Sequence, residues 1–148
     1  MSVSKPLIEP PHNGLYRIAG ASGFLLGLLL LAGTSGHITA VWPMVTGEIN
    51  VPVRRVLLLL LPGLILAIST LVNLLLCQAL WTGKRWALTL TLGVNLIAAI
   101  YFAYLLHRGV QDHPIGLFLA FIASQVIVLA AIQIGLTWPA KDVKEEER

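Results

Sequence analysis

The sequence predicts an all-α fold: a polytopic integral membrane protein, folded as a four-helix transmembrane bundle with both termini in the cytoplasm. Three observations lead there. Charged residues are 11% of the 148-residue chain and hydrophobic residues 57%. A soluble domain carries about 25% charged residues, so the polar surface here is too small to wrap a water-soluble globule. Four long segments contain no Asp, Glu, Lys or Arg in their interiors, and mean hydropathy is +0.84. Finally, Lys and Arg fall unevenly on alternate connections between those segments, which sets an orientation. The length suits a single domain, residues 1–148.

Crossing a hydrocarbon core of roughly 30 Å takes about 20 apolar residues. Each span must be helical there, because an unpaired backbone amide finds no water. After an N-terminal segment, 1–17, span one is expected at 18–37 and is rich in glycine. The basic start and the core "GFLLGLLLLA" also fit a secretory signal. An indistinct cleavage site and three further spans favour a retained helix. Ala19, Gly23 and Gly27 recur at four-residue spacing and form a helix-packing face, open to a helix of the same chain or of a second subunit.

The connection 38–55 holds "VWPMVTGEINVP", whose two prolines and Gly-Glu pair make a poor helix. An ordered outer loop is expected. Span two, 56–81, carries Pro62 before Gly63; Pro62 cannot donate to the Leu58 carbonyl and should kink the helix. Ser69, Thr70, Asn73 and Cys77 fall in a sector of about 100° on this span.

The short turn "WTGKRW" leads into span three, 86–107, and "RGVQDHP" leads into span four, 115–138. Such short links make antiparallel neighbours. Gly83 and Gly109 suit C-terminal positions with positive φ, Pro114 suits a first helical turn, and Pro139 stops span four. The tail, 139–148, has nearly balanced charges and is assigned no partner.

Lys5, Arg17, Lys84, Arg85, Lys141, Lys144 and Arg148 lie on one side of these spans, and Arg54, Arg55 and Arg108 on the other. Basic residues near span ends favour the cytoplasm, so the "WTGKRW" turn and both termini are placed inside. Arg54 and Arg55 run against this bias. Trp81, Trp86 and Trp138 then serve as inner interfacial anchors, with Trp42 their outer counterpart.

Polar side chains at mid-span mark the candidate sites. Asn73, Asn95 and Gln125 should face the protein interior. They serve either as interhelical hydrogen bonds, the simpler reading, or as a polar ligand site that Tyr101 and Tyr104 on span three extend outward. The tripeptide "VNL" occurs at Val72–Leu74 and Val94–Leu96; it is too short to argue for an internal repeat. At the outer end, His37, His107 and His113 with Asp112 form a candidate metal group. Their spacing matches no established metal pattern, and histidines also sit well at a headgroup interface.

Several classes are excluded or weakened. No basic cluster with interleaved aromatics supports nucleic-acid binding. Cys77 is the only cysteine, so no intrachain disulfide or CxxC motif exists, and the vitamin-K-reductase type, which needs cysteine pairs, is out. The spans lack the acidic residue on which the small four-helix multidrug exporters depend, and coupled transport generally needs such a group. Di-haem cytochromes place histidines toward both leaflets, unlike this chain. No HExxH, phosphate loop or serine elbow appears. In composition the chain resembles small four-helix bacterial inner-membrane proteins with a basic, Trp-flanked central turn.

The expectation is therefore a non-catalytic structural or accessory subunit of the cell membrane, in a bacterium the inner membrane. Its partners would be the lipid bilayer and other membrane-protein subunits or copies of itself, with no cofactor. Two alternatives stand beside it: binding or transport of a lipid, quinone or other small apolar molecule within the bundle, and an outer-side metal or haem site on the histidines.

Overall fold

The computed structural model describes residues 13–109 and 115–137. They form four α-helices: α1 Asn13–Val45, α2 Val53–Trp81, α3 Arg85–His107 and α4 Ile115–Thr137. Each is long and apolar enough to cross a bilayer. Three follow the expected spans to within a few residues. The expectations for Asp112, His113, Pro114, Trp138, Pro139 and the tail, and for most of segment 1–17, lie outside the described residues.

Helix α1 differs. It begins before the expected span and continues through Pro43, so residues 38–45 of the expected outer loop are helical. Pro43 forfeits only its own N–H, and the carbonyls around it are still used. Trp42 O accepts Thr46 N at 2.9 Å, and Pro43 O accepts Ile49 N at 3.0 Å. The helix stops instead at Gly47, whose φ of +81° suits a residue without Cβ. Helix α2 likewise continues through Pro62.

The turn between α2 and α3 is a Schellman cap. Lys84 N donates to Ala79 O at 3.0 Å and Gly83 N to Leu80 O at 2.9 Å, with Gly83 at φ +78°. These bonds satisfy carbonyls that end the helix. Gly109, at φ +75°, plays the same part after α3, donating to Leu106 O at 3.0 Å.

The helices pack in a ring, each against its chain neighbours, with α4 returning to α1. Two apolar clusters fill the middle. Near the α2–α3 turn lie Tyr16, Ala19, Leu80, Leu88, Leu129 and Ile132. Toward the opposite end lie Leu26, Leu30, Leu66, Phe102 and Ile122. Between them sits a polar layer, while large apolar side chains also cover the periphery. Asn73 and Asn95 are 0% exposed, whereas Leu75, Ile97 and Ile127 on the periphery are 71%, 67% and 69% exposed. In water this arrangement would leave a large apolar surface uncovered; in lipid it is the favourable one.

Candidate functional site

The polar layer is built around one pair of amides. Asn73 on α2 donates from Nδ2 to Asn95 Oδ1 at 2.9 Å, and Asn95 on α3 returns a bond from Nδ2 to Asn73 Oδ1 at 3.2 Å. Each side chain is both donor and acceptor, so the pair closes on itself without water. Asn73 Nδ2 also reaches Ser69 O at 2.8 Å. The two "VNL" tripeptides thus place their asparagines opposite one another across antiparallel helices.

Gln125 brings α4 to the same layer. It is buried, and its Nε2 has no hydrogen-bond partner in the protein. Gly23 of α1 faces it: a Cβ built there would lie 3.7 Å from both Asn73 Oδ1 and Gln125 Nε2. The three predicted amides therefore converge, joined by a glycine that was expected only to pack helices. Ser69 Oγ and Thr91 Oγ1, one helical turn from the paired asparagines, are also buried without a partner.

The tyrosines stand apart. Tyr104 lies about 13 Å along α3 from Asn95, at 1.5 Å per residue. It is half exposed, with the Arg108 guanidinium 5.8 Å from its ring centre, a cation–π contact. Tyr101 packs edge-on against Phe102 at 5.7 Å.

His37 is tied into the helix seam. Its Nε2 lies 2.8 Å from Leu59 O, and because a carbonyl only accepts, Nε2 carries the proton and donates. The ring occupies the space that Gly63 leaves open, where a Cβ would lie 2.5 Å from His37 Cδ2. The bond falls in the turn that Pro62 interrupts, next to the Leu58 carbonyl that Pro62 leaves without its usual donor. Any metal would have to use Nδ1 of His37. His107 ends α3 and is exposed, while Asp112 and His113 lie outside the described residues. Among the described residues no three His, Cys, Asp or Glu side chains group to hold a metal.

The small-residue face packs within the chain. Ala19 is fully buried, and a Cβ on Gly27 would meet Leu74 Cδ2 at 2.6 Å. The closest approach of one backbone to another was missed: a Cβ on Gly20 would lie 2.8 Å from the Cys77 carbonyl oxygen. Thr34, where Oγ1 meets Thr70 Oγ1 at 3.3 Å, continues the series Gly20, Gly27, Thr34. Steps of seven, the spacing of paired helices, were the available signal, rather than steps of four. Gly33, against the Phe118 ring, was missed too.

On the periphery, Gly20, Ala21, Phe24, Leu25, Cys77, Gln78 and Trp81 line an open, apolar groove of about 480 Å³ between α1 and α2. Cys77 is internally engaged there, its Sγ 2.9 Å from Leu74 O. A comparison of the chain with models of known families, with characterised proteins and with solved structures finds no match.

Proposed function

We propose that this chain is a non-catalytic structural or accessory subunit that lies in the cell membrane and acts through its outer surface on other membrane proteins. The observation that carries the reading is the filled interior. Phe102, Leu30, Leu80, Leu88, Ile122 and Leu129 are fully buried, and the central asparagines bind one another. A protein whose polar groups hold its own helices together has little left for chemistry, and its large apolar flanks face outward. In this reading Lys84 and Arg85 lie on the cytoplasmic side with both termini, which the excess of basic residues on that side supports. Trp42, Trp81 and Trp86, all exposed near helix ends, suit the two interfaces. Blue-native electrophoresis of the chain, extracted from its own membranes in mild detergent, should show a complex of defined stoichiometry with another membrane protein or with further copies. A monomer with no companion contradicts the reading.

A second reading rests on the peripheral groove: the chain retains a lipid by one acyl chain, held between Phe24, Leu25 and Trp81 over the small floor of Gly20 and Ala21. This moves the apolar ligand from the bundle interior to its flank. Mass spectrometry of the purified protein should find a retained lipid that Ala21→Phe releases. Equal lipid content in both proteins counts against it.

A further inference from the structure

The peripheral groove between α1 and α2 ends among cations. On α1 its lining residues Gly20, Ala21, Phe24 and Leu25 form one stripe, and Arg17 continues it. At about 100° per residue, Arg17 falls inside the sector these four occupy, about 4.5 Å further along the axis from Gly20. On α2 the groove reaches Trp81, the last residue of that helix, and Lys84 and Arg85 follow in the turn. The turn lies against α1 at the same level, since a Cβ on Gly83 would be 3.8 Å from the ring of Tyr16, the residue before Arg17. Arg17, Lys84 and Arg85 are all exposed.

The shape of the groove selects a slender guest. Its floor is low where Gly20 brings α1 onto the Cys77 carbonyl, while Phe24, Leu25 and Trp81 are exposed beside it. A transmembrane helix packs closely where small residues line the contact, and with a diameter of about 10 Å it is held off by these three large side chains. An acyl chain passes between them.

Charge selects the headgroup. A zwitterionic headgroup carries its own ammonium group toward three cations, whereas an anionic one offers them uncompensated negative charge. Arginine and lysine bind phosphate oxygens by charge-assisted hydrogen bonds. A guanidinium has five N–H donors, so Arg17 can serve a phosphate beside any other group it holds.

We propose, building on the reading that this groove retains a lipid, that its occupant is an anionic phospholipid. One acyl chain lies along Gly20, Ala21 and Phe24, and the headgroup phosphate meets Arg17, Lys84 and Arg85. Trp81 stands between the two, at the boundary where tryptophan rings favour the membrane interface.

Native mass spectrometry of the purified, delipidated full-length protein tests this. The probe is an equimolar mixture of phosphatidylglycerol and phosphatidylcholine with identical acyl chains. The wild-type protein should retain phosphatidylglycerol in preference. Each basic side chain at a headgroup contributes a factor of about five, so Lys84→Gln with Arg85→Gln should lower that preference at least fivefold while lipid is still bound. Ala21→Phe, which fills the groove from an exposed position, should lose both lipids; Leu25→Trp repeats the block should Ala21→Phe fail to fold. Equal retention of the two lipids, abolished by Ala21→Phe, leaves the groove reading standing and overturns the anionic preference. A phosphatidylglycerol excess untouched by Ala21→Phe also overturns the proposal, because the lipid then sits on the cationic turn without the groove. Retention of neither lipid removes the groove reading itself, and this proposal with it. A photo-crosslinker at position 21 in native membranes should capture lipid; capture of another protein, or of a second copy, gives the groove to a helix and overturns the proposal.

Discussion

The α1–α2 pair and the α3–α4 pair solve the same packing problem by opposite means. Along α1–α2 the side chains are removed: Gly20 and Gly27 bring α1 onto α2, and Gly63 opens α2 to His37. The remaining grip is polar, through Thr34 to Thr70 and His37 to Leu59. Between α3 and α4 side-chain volume does the work, with Ala98, Phe102 and Ile122 toward one end and Leu88, Leu129 and Ile132 toward the other. In lipid, apolar contact alone gives little driving force, so close approach and shape matter most. One pair is sensitive to added atoms, the other to lost ones. The Asn73–Asn95 bond joins the two halves.

This contrast can be broken at either pair. The largest effect should come from Phe102→Ala, which empties the centre of the α3–α4 side and should cost about 3 kcal/mol of stability. A loss below 1 kcal/mol, read from reversible unfolding, would mean the side-chain core is not what holds that pair. Next is Gly20→Ala, where a single methyl meets the Cys77 carbonyl at 2.8 Å. Separation of the backbones should cost about 2 kcal/mol, and an unchanged unfolding midpoint would deny the close approach of α1 and α2. The bridge between halves is probed by Asn95→Leu, which strips Asn73 of both reciprocal bonds and should cost about 1 kcal/mol. Replacing both asparagines by leucine should recover most of that loss, since no buried amide is then left without its partner. The smallest change is expected for Thr34→Val. Its hydroxyl contact to Thr70 should contribute no more than about 0.6 kcal/mol, and a much larger effect would mean the seam depends on polar bonds more than on glycine.

The number of helices was legible because the bilayer imposes a one-dimensional rule, a run of about 20 residues without charge. The stops at Gly83 and Gly109 were legible because positive φ has a local residue preference. Pro43 misled for the complementary reason. A proline argues against helix locally, yet near a helix end it sacrifices one hydrogen bond while the following carbonyls find other donors. The buried position of Asn73, Asn95 and Gln125 could be read from depth along each span. That two of them pair while Gln125 faces Gly23 could not, since it depends on how α1 and α4 are rotated about their axes. His37 is the same kind of case: its partner, Leu59 O, is a backbone atom on another helix and leaves no pattern in the sequence. Gly20, Gly33 and Gly63 were passed over because the atoms that require them are distant along the chain.

The account rests on this apolar-flanked bundle lying in a bilayer with the cationic α2–α3 turn on the cytoplasmic face. Cysteine labelling in intact cells tests this most directly, using Asn50→Cys and Thr82→Cys one at a time in a Cys77→Ser protein with a membrane-impermeant maleimide. The account predicts that residue 50 is labelled from outside and residue 82 only after the membrane is opened. Labelling of residue 82 in intact cells, or protection of residue 50, would contradict it.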